Sequence, residues 1–436
     1  MNCLSRLFLF GSILFSALLA GPVAAADAPV KALRGSRFQP RQFTSNGDLV
    51  VARGQTITFD TGSEEKAPSF RGVKQGSGQL GRSASGKVEL AVFCFDQIQL
   101  AEGAKVQVVG DRGLVLIAST DMVANTTIDL SGRGGFGQKR PMISWVDAAR
   151  ADGVEVPEAG STKEAKAIRK QIEQKYKKHE VWRETAPGGP GGEGGVERKS
   201  FQSGPPPANG GDGGAPKKDS GVSGTGYGAG FNRRVKGGAA GSGAGYGGKG
   251  GDSSPASRGG YNRSRGEAPM PGGADYGDKE LTELFGGSGG GGGSNDRRFA
   301  NAGGGGGGGA LSLVAGVRMT LGPQARLLAA GGPGGTWEIC GGGGSGGSIL
   351  LVTGALEISD SAEIDASGGD GGSVDCRGET GGRKNKGSGG GGGGGRVAIY
   401  SGLPQRQQPK AVDVSGGKGG ILAKDGQDGS FHWGQK

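Results

Sequence analysis

The chain has 436 residues, of which 101 are glycine and 19 proline, and only 33% are hydrophobic and 6% aromatic. That supply of apolar side chains excludes a single compact core for the whole length. The formal charge of +10 is modest for this size, and fits plain solubility as well as non-specific electrostatic contact with polyanions.

Residues 1–26 read as a signal peptide: Arg6 precedes the apolar stretch Leu7–Ala20, and Ala24-Ala25-Ala26 supplies small residues for cleavage. The mature chain is therefore expected to be exported to the periplasm, cell surface or extracellular space. No other segment approaches membrane-spanning length. Residues 27–135 form an N-terminal β-repeat region. Leu49-x-Val51 is followed by Ile57-x-Phe59, and Ile98-x-Leu100 by Val106-x-Val108, each pair of apolar alternations separated by five residues. Period-two alternation predicts short strands with one buried face. Units this small cannot close a core alone, so the copies must stack. Ile128-Asp129-Leu130 repeats the second half of the unit.

Residues 136–300 interrupt the repeats. Ser161-x-x-Glu164 is a capping-box signature, and Ala165, Ile168, Ile172 and Tyr176 share one face of a helix predicted over about 161–182. That face is expected to fold onto the chain's own repeats. From about Pro187 to Arg265 the composition turns to Gly, Pro, Ser, Lys and Arg, which predicts a loosely wound stretch without a buried face. Arg258-Gly259-Gly260-Tyr261 has the look of RNA-binding arms, but export argues against a specific nucleic-acid partner. An exported basic protein more often meets acidic polysaccharide or other envelope polyanions.

The repeats return over 301–436. Met319-x-Leu321 is followed by Leu327-x-Ala329 and Leu356-x-Ile358 by Ile364-x-Ala366, while Val412-Asp413-Val414 again keeps the second half. Tracts such as Gly303–Gly309 and Gly389–Gly395 lie beside these strands at similar positions. Extended helices of polyproline-II type, free of side chains, can pack and hydrogen-bond laterally, which favours ordered tracts over linkers. The predicted fold is all-β: a β-helix-like solenoid of short strand repeats with packed glycine-rich tracts, interrupted by the 136–300 insertion.

Asp129, Asp365 and Asp413 invite comparison with β-helical enzymes that act on polysaccharides, since stacked turns would bring carboxylates together. An enzyme would use Asp365 and Asp413. Aspartate before Ser-Gly is also an ordinary turn former, and that is the expectation here, with no catalysis, metal or cofactor. Gly368–Ser373 has Ser where a calcium-binding nonapeptide needs aspartate. Cys94, Cys340 and Cys376 remain after processing. Cys94 lies in an apolar run and reads as a buried thiol. Cys340 and Cys376 are 36 residues apart, against a repeat offset of 37 between Leu321 and Ile358, which predicts near-equivalent places on successive turns and a disulfide between them.

Gly307–Ala315, Gly346–Val352 and Gly393–Tyr400, each a glycine run entering an apolar strand, resemble the glycine-rich repeat proteins of bacterial cell envelopes and, more distantly, mycobacterial glycine-rich surface modules. The resemblance implies a secreted or surface-exposed structural or adhesive role. The alternatives are a polysaccharide lyase or glycoside hydrolase on a β-helix, and a basic polyanion-binding protein.

Overall fold

A computed structural model describes residues 38–83, 86, 88–135, 141–143, 154–157, 163–176, 181–182, 226–230, 239–255, 269–293, 302–336, 339–373, 387–402, 409 and 412–435. The signal-peptide reading and Cys376 fall outside them. Among the described residues no helix is long and apolar enough to cross a membrane.

Among the described residues the chain is mostly strands with one α-helix. The first eleven strands are β1 (Leu49–Val51), β2 (Thr56–Asp60), β3 (Ser69–Gly72), β4 (Gly76–Ser77), β5 (Gln79–Arg82), β6 (Glu89–Phe95), β7 (Ile98–Leu100), β8 (Lys105–Val109), β9 (Gly113–Ala118), β10 (Asp121–Ala124) and β11 (Thr127–Asp129). Helix α1 (Lys163–Tyr176) lies in sequence between β12 (Pro141–Ile143) and β13 (Val181–Trp182), which pair antiparallel. The remaining strands are β14 (Ala310–Leu321), β15 (Arg326–Leu328), β16 (Ser348–Ile358), β17 (Glu363–Asp365), β18 (Arg396–Ser401), β19 (Val412–Asp413) and β20 (Ser430–Gln435).

The repeats stack in parallel and in the predicted register. Leu49 pairs with Ile98 and Ile57 with Val106; further along, Met319 pairs with Leu356 and Leu327 with Ile364. One ladder runs β1-β7-β10-β14-β16-β18-β20, with β6 and β9 joining along the first half of β14. A second runs β11-β15-β17-β19. Alternate residues of both ladders, among them Leu100, Ile128, Leu321, Leu327 and Ile364, meet in one buried apolar cluster. Each such side chain contributes about 1.5–3 kcal/mol through removal from water. The β1 end of the stack is covered by the antiparallel strands β3 and β4. There Phe70 packs edge-on against Phe93 and Phe95 at 6.0 and 5.3 Å.

The middle strands read as continuous apolar runs because both their faces are buried. The opposite face of β6, β9, β14, β16 and β18 carries Val92, Val115, Val314 and Val352, and the insertion covers it with Tyr246, Leu281, Leu284 and Phe285.

The insertion thus departs from its expected character. Within 239–246, read as lacking a buried face, Ala240, Ser242, Ala244 and Tyr246 are fully buried. Low hydrophobicity did not prevent burial, because what is buried is mostly backbone with its hydrogen bonds satisfied. The helix also differs. It ends at Tyr176, and Val181–Trp182 is a strand. Ile168 is 50% exposed, so the apolar face is not laid onto the repeats at this position. Two isoleucines, two alanines and a terminal tyrosine among Lys, Arg, Glu and Gln offer little area to bury.

Candidate functional site

The glycine tracts form the feature that no side-chain motif announces. The tract 341–347 shows its geometry. Gly341, Gly344 and Gly347 donate to Gly335, Gly332 and Ala329; Gly342 and Ser345 donate to Gly291 and Ser288; Gly343 and Gly346 donate to Gly390 and Gly393, all at 2.7–3.1 Å. Every third N–H therefore meets the same neighbour, the recurrence of a helix with three residues per turn. Its carbonyls, together with that of Cys340 just before it, accept in the same way from three other tracts, through Gly305 and Gly308, Gly241 and Ala244, and Gly369 and Gly372. One tract is thus hydrogen-bonded to six others. Four of the six come from the repeats and two, 239–245 and 286–293, from the insertion.

This packing leaves no room for a side chain at the glycines, while the tract's one other residue, Ser345, turns its hydroxyl to accept from the Ser288 N–H at 2.8 Å. A Cβ on Gly344 would lie 2.0 Å from the carbonyl oxygen of Gly306, and one on Gly343 1.9 Å from that of Gly369. The tracts at the face away from the insertion follow a different rule. They read Ala330-Gly-Gly-Pro333-Gly-Gly-Thr336, Ser367-Gly-Gly-Asp370-Gly-Gly-Ser373 and Ser415-Gly-Gly-Lys418-Gly-Gly-Ile421. The glycines of each triplet bond sideways and inward, as Gly371 does to Lys418 and Gly372 to Gly341. The third residue faces out, and Pro333, Thr336, Asp370, Ser415, Lys418 and Ile421 are exposed. Proline is tolerated there because its missing N–H would have had no partner in the array. This triplet period is the signal that could have located the array's outer face from sequence.

Aspartates close the array at its last edge. Asp370 accepts from the Lys418 N–H at 2.7 Å, Asp428 from Gly416 at 2.9 Å and Asp425 from Gly419 at 2.7 Å. Asp252 accepts from Gly272 and pairs with Lys424 at 2.7 Å. Burial pushes its carboxyl up, but the Lys424 ammonium and the Gly272 N–H outweigh that and hold it below the usual aspartate range.

Asp129, Asp365 and Asp413 all act as turn acceptors. Each receives the N–H of the serine two residues on, at 2.8, 2.7 and 2.8 Å. The ladder sets Asp365 directly beside Asp413, whereas Leu328 separates Asp129 from Asp365. Burial pushes the Asp365 carboxyl up; the Ser367 hydrogen bonds oppose this, and the charges of Asp413 and Glu363 add to it. Among the described residues no group of His, Cys, Asp and Glu is arranged to hold a metal.

A buried polar clamp ties the insertion to the ladder. The Arg396 guanidinium, 7% exposed, donates to the carbonyls of Tyr276 (2.8 Å) and Gly277 (3.3 Å) and to Ser430 Oγ (2.9 Å). It also lies over the Tyr246 ring at 5.5 Å. Tyr246 shares a 2.6 Å hydrogen bond with Ser348, and burial pushes its phenol up to about 12. Sequence reading missed this clamp because its contacts join residues 34 to 150 positions apart and follow no motif.

Cys94 is buried as expected, and burial raises its thiol. The 37-residue offset does not hold around Cys340. Cys340 precedes β16, whose partner β18 is offset by 48 residues, so its equivalent on the parallel neighbour is Ser388. The tract containing Gly372 instead runs back antiparallel beside Cys340: a Cβ on Gly372 would lie 3.0 Å from the Cys340 Cβ. The disulfide itself lies outside the described residues.

Comparison with protein-family models, with curated proteins and with solved structures yields no match.

Proposed function

We propose that this chain is an exported, non-enzymatic structural or adhesive element of the bacterial envelope or extracellular matrix, built as a β-solenoid stiffened by a glycine array. One observation carries the reading: tract 341–347 is bonded to six neighbours, and a Cβ on any of its glycines would lie 1.9–2.0 Å from a carbonyl oxygen of a neighbouring segment. A lattice of this kind is a stiff slab. Its outer face presents one side chain every three residues, roughly every 9 Å along each tract at about 3.1 Å per residue. Such a surface suits repeated weak contacts. The basic excess makes acidic polysaccharide or another envelope polyanion the natural partner. Engagement of Asp365 and Asp413 as turn acceptors favours a structural role for them over acid–base chemistry.

Cell fractionation combined with affinity chromatography on heparin and pectin tests this. The mature chain is expected in the envelope or extracellular fraction, retained at low salt and released at high salt, with no unsaturated sugar produced. Recovery from the cytoplasm, or glycan turnover abolished by Asp365→Asn and Asp413→Asn, would overturn the reading.

A further inference from the structure

The first ladder ends on β20, whose outer edge has no strand partner among the described residues. Ser430 donates to Gly395 at 3.1 Å. The N–H groups of Ser430, His432 and Gly434 therefore face β18, and those of Phe431 and Trp433 face away. Exposed edge strands are ordinarily kept short or protected by lysine, proline or a bulge. β20 has none of these: it is Ser-Phe-His-Trp-Gly-Gln, paired with β18 in unbroken register over six residues. The opposite edge strand, β1, has three residues, and β19 has two, one of them Asp413. The core is also unequal at its two ends. Leu49, Val51 and Phe59 are fully buried near β1, whereas Phe431 and Trp433 are only partly buried, and Trp433 Nε1 is enclosed without a hydrogen-bond partner.

We propose that β20 pairs antiparallel with β20 of a second copy of this chain, about a two-fold axis through His432. The strand is self-complementary about that residue, with an aromatic on either side and a small residue beyond each. The axis places Phe431 opposite Trp433 of the second copy, twice, on the core side, and covers the open end of each apolar cluster. It also makes 431 and 433 the hydrogen-bonded pair, which uses the outward N–H groups. An axis on either aromatic would oppose His432 to a small residue and leave one ring facing Gly429 or Gln435. An isologous contact of this kind closes on itself and occupies the β20 edge of both copies. The inference rests on the strand ladder and is independent of the proposed function.

Sedimentation of the purified mature chain at micromolar concentration tests it, together with disulfide trapping. The expected result is a dimer. His432→Cys should cross-link the two copies on mild oxidation, because a non-hydrogen-bonded antiparallel pair holds its Cα atoms about 4.5 Å apart. Gln435→Cys, whose like residues would be far apart, should not cross-link beyond the wild-type background. A folded monomer would overturn the proposal. So would a dimer in which His432→Cys fails to cross-link or Gln435→Cys does so equally well.

Discussion

At Asp365 two demands conflict, since the turn needs an acceptor for the Ser367 N–H while burial and the charges of Asp413 and Glu363 disfavour the ionised form. A carboxyl raised in the folded state binds its proton more tightly there than in the unfolded chain. Its contribution to stability is then greatest below the ordinary aspartate range and declines as pH rises through the raised value. Asp365→Asn keeps the acceptor and removes the charge. Its urea midpoint should exceed that of the wild type at pH 7 and converge with it at about pH 3, where the carboxyl is protonated in both states. A lower midpoint at pH 7 would show that the charge itself is needed. Glycine and the outward residue of a triplet should differ more sharply. Gly344→Ala, which drives a Cβ against the Gly306 carbonyl, should cost about 3 kcal/mol. Lys418→Ala, on the exposed face, should stay within about 0.5 kcal/mol. Equal effects from the two substitutions in chemical denaturation would contradict the packing described.

Among the elements, the strands are the most legible in the sequence. Period-two alternation identifies buried positions, and its recurrence sets which copies pair, so the alignment of Leu49 with Ile98 and of Leu327 with Ile364 follows from spacing alone. The turn role of Asp365 is legible too, because the bond it makes is local. The tracts of the insertion are not. Ala244 is buried and bonded through its backbone to Gly343 and Gly393, about a hundred and a hundred and fifty positions away, and composition carries no trace of such partners. The clamp of Arg396 on Tyr276 and Tyr246 is equally non-local. This changes what protease should find, because cleavage selects backbone that opens locally. Limited digestion with a broad-specificity protease should leave 239–254 intact and uncut for as long as 341–347. Early cuts within 239–254 would mean that this segment is not held in the array.

For the whole molecule, the glycine tracts reverse the usual expectation that glycine-rich chain stays unfolded because it loses the most backbone freedom on ordering. Here that loss is offset by hydrogen bonds and close backbone contact, distributed over tracts from the repeats and the insertion alike. The array and the strand ladders share residues end to end: Gly347 precedes β16, Gly395 precedes β18 and Gly429 precedes β20. Loosening the array should therefore loosen the ladders. Amide hydrogen exchange of the mature chain measures this most directly. The N–H groups of 341–347, each bonded to a neighbouring tract, should exchange as slowly as those of the central strand β16. Exchange at the rate of an unstructured glycine peptide, with β16 still protected, would contradict the account.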